Sequence, residues 1–133
     1  MVIQYSTKLK QLAKEKPGYG KLHHYDALLK RKNRKCGDKL ELYIQKHCGK
    51  IVDLTYCGDA CALCLASASL MTELVKGADI KAVDSLYDTL QNVLSGKEED
   101  SPLSVFSHWS GKVMRKGCIE LPWQTLFQLE EPW

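Results

Sequence analysis

Residues 61–76, CALCLASASLMTELVK, constrain the fold more than any other stretch of the chain. They are apolar or small nearly all round and run unbroken to Gly77. A helix with no polar side is stable only when other elements enclose it. Gly77 suits the left-handed position that ends such a helix. The 133 residues are one domain in size, 1–133. A chain of that length buries roughly two-thirds of its unfolded surface, so it can build the enclosing core without staples.

The strands precede that helix. Leu40, Leu42 and Ile44 alternate with Glu41, Tyr43 and Gln45, the period of a half-buried strand over 39–46. Cys48-Gly49-Lys50 reads as a turn and 51–56, IVDLTY, as a second strand, so the two form a hairpin that Gly58 ends. Residues 24–32 supply a third strand. Before the strands, 5–16 place Leu9, Leu12 and Ala13 at helical spacing, stopped by Pro17-Gly18.

More helices follow. Asp79 caps a run in which Ile80, Val83, Leu86, Tyr87, Leu90 and Leu94 recur at three- and four-residue spacing up to Gly96. Residues 97–112 are a polar connection that folds Leu103, Val105, Phe106 and Trp109 onto the core as a short helix. A last helix is expected over 118–130, with Pro122 in its first turn, where its missing N–H costs little. Strands first and helices after predict an α+β fold, an antiparallel sheet covered by helices on one face.

Charge is segregated. Residues 1–35 carry ten Lys and Arg against Glu15 and Asp26, a net of +8, and the remainder is −5. A basic end on an acidic body points to an anionic partner or simply to a solvated face. No apolar run approaches a membrane span, and residues 1–20 hold no signal-peptide core. A cytoplasmic protein is therefore expected, with its six cysteines as thiols.

Those cysteines ask for chemistry. Cys36-Gly37-Asp38 sets a thiol and a carboxylate two positions apart across a flexible glycine, a pair that can converge on one zinc ion. Cys57, Cys61 and Cys64 have the C-x₃-C-x₂-C spacing of a radical-SAM cluster loop. The chain is too short for that barrel, however, and the stretch enters a helix. Cys64 reads as a small buried hydrophobe. Cys61 stands where strand gives way to helix, a setting that favours an anion. Cys118 is placed likewise before the last helix, with Arg115 and Lys116 nearby. Twenty-four residues separate Cys36 from Cys61 and 56 separate Cys61 from Cys118, so only the fold can bring them together.

These residues resemble the IscU/SufU family of iron–sulfur cluster assembly scaffolds, also known as the NifU N-terminal domain. The resemblance rests on Cys36-Gly37-Asp38 and on Cys61 followed by Ala66-Ser67-Ala68-Ser69-Leu70-Met71-Thr72-Glu73. It continues through Lys76-Gly77 and Arg115-x-x-Cys118-x-x-Leu121-x-Trp123. Gly96-Lys97-Glu98 and the long connection to Arg115 bring it nearer the SufU branch. So does Gly117, where the IscU branch has a histidine. Ala60 and Asn33-Arg34-Lys35 depart from the family pattern.

The resemblance implies a three-stranded antiparallel sheet with helices on one face. It also implies an exposed metal site made by Cys36, Asp38, Cys61 and Cys118, holding zinc in SufU-type proteins and a two-iron cluster, [2Fe-2S], in IscU-type ones. Its partners would be a cysteine desulfurase and downstream iron–sulfur acceptor proteins. The role is that of a scaffold and sulfur acceptor rather than a classical enzyme, with a zinc-dependent sulfurtransferase as the alternative. Cys36 is the expected sulfur acceptor, because its turn is the most mobile setting, and Cys118 is the runner-up. Cys48, Cys57 and Cys64 have no counterpart among the ligands, although Cys57, beside the site, could add a thiol or take one ligand's place.

Two other readings stay open: a structural zinc domain without sulfur transfer, and a basic nucleic-acid-binding module using Lys30 to Lys35. Docking to a partner protein is preferred to nucleic acid, because no aromatic pattern interleaves those charges. A monomer is the expectation. His23, His24, His47 and His108 read as surface residues, and Trp109, Trp123 and Trp133 as packing residues.

Overall fold

The structure is a computed structural model that describes residues 2–33 and 37–129; the side chains at 2–6, 80, 113 and 114 lie outside the description. Trp133 and Cys36 fall outside it as well.

The chain runs α1 (Val2–Glu15), β1 (Ala27–Asn33), β2 (Asp38–His47), β3 (Lys50–Asp59), α2 (Ala62–Val75), α3 (Ile80–Leu94), a 3₁₀ segment (Pro102–Trp109) and α4 (Val113–Leu126). The three strands pair antiparallel in the order β1-β2-β3. This is the expected α+β architecture.

Period-two alternation decides which face is covered. Leu40, Leu42 and Ile44 of β2 pair with Gly58, Tyr56 and Leu54 of β3, and apart from the glycine all of these side chains are buried. Helix α2 packs on β3 and α4 on β1 and β2, while α1 lies on α2. Leu9 and Leu12 of α1 join that core, one turn apart. The opposite face is not bare. Tyr43, on the face away from Leu40, Leu42 and Ile44, is buried under Tyr25 in an edge-to-face contact with centroids 5.1 Å apart.

Helix α2 is enclosed as its composition requires, with every residue from Cys64 to Thr72 buried. Its hydroxyls find partners that replace water. Ser67 Oγ donates to the Ile119 carbonyl at 2.6 Å, and Thr72 Oγ1 to the Ser69 carbonyl at 2.7 Å, while Ser69 Oγ shares a hydrogen bond with the Tyr56 hydroxyl.

Asp79 caps α3 as expected, its carboxylate accepting the Ala82 N–H at 3.0 Å. The β2–β3 turn is the pair Cys48-Gly49, with φ of 51° and 78°, the left-handed sequence that matches strand twist in a two-residue hairpin.

Four expectations need correction. Gly58 does not end β3, which continues to Asp59. Its φ is 148°, and a Cβ there would overlap the Lys39 carbonyl oxygen, so glycine lets the strands approach where a side chain would part them. The last helix begins at Val113, not at 118. Cys118 is therefore its sixth residue, and Pro122 lies in its interior. Proline has no N–H for the helical bond to residue 118, and the helix tolerates that loss inside a packed core.

Candidate metal centre

Three elements deliver one oxygen and two sulfurs to a common point. Asp38 opens β2 on the covered face, in register with the inward positions 40, 42 and 44, and is 2% exposed. Cys61 is the N-cap of α2, where its Sγ accepts the Cys64 N–H at 3.4 Å. Cys118 sits one and a half turns into α4 and is fully buried. One ligand atom from each lies within 4.8 Å of the others.

Asp38 links sheet to helix. Its Oδ1 accepts the Cys61 backbone N–H at 2.8 Å, and its Oδ2 lies 3.7 Å from Cys61 Sγ. Among the described residues, Asp38 makes no ion pair. A carboxylate taken out of water needs compensation from hydrogen bonds, a paired charge or a metal. A divalent metal between the carboxylate and two thiolates would provide it, and zinc accepts this donor set in groups of four. The residues present therefore fit a metal ion.

The centre opens on one side. Cys61 is only partly buried and lines an apolar cleft of about 500 Å³ between α1, α2 and the 3₁₀ segment. Leu9, Ala13, Leu63 and Trp109 form its walls, with Lys10 and Arg115 also among its lining residues. Trp109, read from sequence as packing alone, thus borders the entrance. Its share in the cleft has no local sequence signal.

The other cysteines are placed elsewhere, and none of the five described forms a disulfide. Cys64 is buried in the core, as expected. Cys48 is exposed in the hairpin turn. Cys57 points to the opposite face of the sheet from Asp38 and Cys61, because it pairs with Glu41 at an odd-numbered, outward position. It donates to Glu41 Oε2 at 3.5 Å. Burial, and then the Glu41 hydrogen bond and charge, push its thiol pKa up from 9.0. The added thiol considered for the site is therefore not within reach of it. His24, His47 and His108 are exposed, and His108 stacks edge-on against Trp109. Cys36 lies outside the described residues, between Asn33 and Gly37, whose N–H donates to the Asn33 carbonyl at 2.8 Å.

Residues 4–104 match the family model of the NifU-like N-terminal domain. The iron–sulfur cluster assembly scaffold protein IscU of Thermotoga maritima is 29% identical over 128 residues, covering 93% of this chain and 90% of that protein. The zinc-dependent sulfurtransferase SufU of Bacillus subtilis is 29% identical over 99 residues, covering 71% and 67%. Among solved structures, one described as a SUF-system scaffold protein of Fervidobacterium islandicum AW-1 superposes with a TM-score of 0.79 at 29% identity, covering 91% and 92%. A NifU-like N-terminal protein of Brucella abortus shares the fold, with a TM-score of 0.80 at 20% identity, covering 96% and 94%. No helix among the described residues is long and apolar enough to cross a membrane.

Proposed function

The chain belongs to the NifU-like N-terminal domain family, and from that premise we propose that it accepts sulfur from a cysteine desulfurase and holds metal at Cys36, Asp38, Cys61 and Cys118. The observation that carries this reading is the convergence of Asp38, Cys61 and Cys118 from three separate elements beside an accessible cleft. The names of the relatives support both halves, one being a zinc-dependent sulfurtransferase and another an iron–sulfur cluster scaffold.

Zinc is the resident ion in this reading, and a nascent [2Fe-2S] cluster is the cargo. When bound, zinc keeps thiols deprotonated at neutral pH and shields them from oxidation. The rest belongs to the chain. Asp38, anchored through Oδ1 by the helix N-terminus, keeps Oδ2 aimed at the site while a thiolate departs. Cys118 is fully buried and ill placed to swing out, which favours Cys36 as acceptor. The Cys36 thiolate attacks the outer sulfur of the donor's persulfide. The donor's S–S bond breaks, the donor cysteine leaves as thiolate, and Cys36 carries the new persulfide with its proton.

Mixing the protein with a cysteine desulfurase and cysteine, then trapping persulfides with an alkylating reagent and mapping them by mass spectrometry, tests this. A sulfur adduct on Cys36 together with about one zinc per chain is the expected result. Metal without any persulfide would leave a structural zinc domain instead.

A further inference from the structure

Gly117 is the fifth residue of α4 and has helical rather than positive φ. Glycine inside a helix costs about 1 kcal/mol relative to alanine, so a backbone that any residue can adopt gives no reason for it. Space does: a Cβ at 117 would lie 3.2 Å from Asn33 Nδ2, tighter than most packed contacts.

The two residues flank the centre. Asn33 ends β1 and is the ladder partner of Asp38, while Gly117 directly precedes Cys118. Asn33 is held at its backbone, where its carbonyl accepts the Gly37 N–H that leads into Asp38, so its amide is the part that must shift to admit a Cβ at 117. The close approach at this point thus lies between the strand pair presenting the carboxylate and the helix presenting the thiol.

We propose that Asn33 is a positioning residue whose amide seats on the bare backbone at Gly117 and so sets the separation of the Asp38 carboxylate and the Cys118 thiol for metal binding. The chain accepts a weaker helix at 117 in return for a tighter site. This rests on the reading that the site holds metal.

A double-mutant cycle on the full chain tests it, using the parent, Gly117→Ala, Asn33→Ala and the double variant. Each is measured for zinc affinity by competition with a chromophoric chelator and for its melting temperature without metal. Metal-free Gly117→Ala is expected to melt close to the parent, because the helix propensity that alanine adds offsets the crowding at Asn33. It is expected to bind zinc about 10-fold more weakly, the usual scale for disturbing groups behind metal ligands. In the Asn33→Ala background the same change is expected to leave zinc affinity unaltered.

Unchanged affinity in Gly117→Ala overturns the proposal. So does an equal loss in both backgrounds. A parent that takes up no zinc overturns the functional reading and this proposal with it. A parent that binds zinc but fails the cycle overturns this proposal alone.

Discussion

The Asp38 carboxylate accepts the Cys61 backbone N–H at 2.8 Å, so a side chain of the sheet closes the first turn of the central helix. One residue thereby serves both as a helix-capping acceptor and as a candidate ligand. Asp38→Asn keeps an acceptor oxygen and loses the charge, whereas Asp38→Ala loses both. Both variants are expected to lose zinc. Asp38→Ala alone is expected to unfold more easily, by about 1–3 kcal/mol for the abandoned N–H. Zinc content and metal-free urea unfolding separate the two effects, and equal stability of the variants would contradict this dual role.

The cysteines divide by location. Cys61→Ala and Cys118→Ala are expected to weaken metal binding, while Cys48→Ser, on the exposed turn, and Cys57→Ser, on the far face of the sheet, leave it intact. Cys64→Ala also keeps the metal but lowers stability by about 1 kcal/mol through the small cavity it leaves. Metal analysis of the five purified variants checks the division, and loss of metal in Cys57→Ser would overturn it.

Ser67 sets the spacing of the two helices that carry Cys61 and Cys118. Its Oγ donates to the Ile119 carbonyl at 2.6 Å, with both residues fully buried. Ser67→Val adds bulk and leaves no donor, and is expected to cost about 1–3 kcal/mol by overpacking. Zinc affinity is expected to fall with it, because Ile119, whose carbonyl Ser67 holds, directly follows Cys118. Urea midpoints and chelator competition measured on the same samples show whether the two losses travel together.

Alkaline pH is expected to unfold the protein through groups held neutral. Burial is the largest cause of the raised pKa at Cys57, Tyr43, Tyr56 and Tyr87, and Tyr43 is pushed up to about 12 with help from Cys57 and Glu41. A group whose folded pKa is raised stabilises the fold fully below its unfolded value and loses that contribution as pH rises through the folded value. The unfolded values are 9.0 for the thiol and 10.0 for the phenols. The melting temperature is therefore expected to fall between about pH 9 and pH 12, and less steeply in Tyr43→Phe. A slope unchanged by that substitution would remove Tyr43 from the account.

Local patterns made most of the fold legible. The alternation at 40, 42 and 44 marked β2 and its inner face, and the all-round apolar run after Cys61 marked the enclosed helix. Asp79 marked the start of α3. Such signals survive because each depends on neighbours within a turn or a pleat. The start of α4 was misjudged because Pro122 imitates a first-turn residue, and only packing lets it sit in the interior. The burial of Tyr43 is not legible in the sequence, because its cover comes from Tyr25, 18 positions earlier and outside any local period.

The sequence by itself determined the order of strands and helices, the inner faces and the identity of candidate ligand residues, since side-chain period and chemistry are local properties. Only the tertiary structure decided that Asp38, Cys61 and Cys118 share a centre while Cys57, four residues from Cys61, looks the other way. The reason is geometric. A strand reverses its facing at every residue and a helix rotates through its own period, so nearness along the chain carries no direction in space. Direction comes from the register of β2 against its neighbours and from the seating of α4 on the sheet.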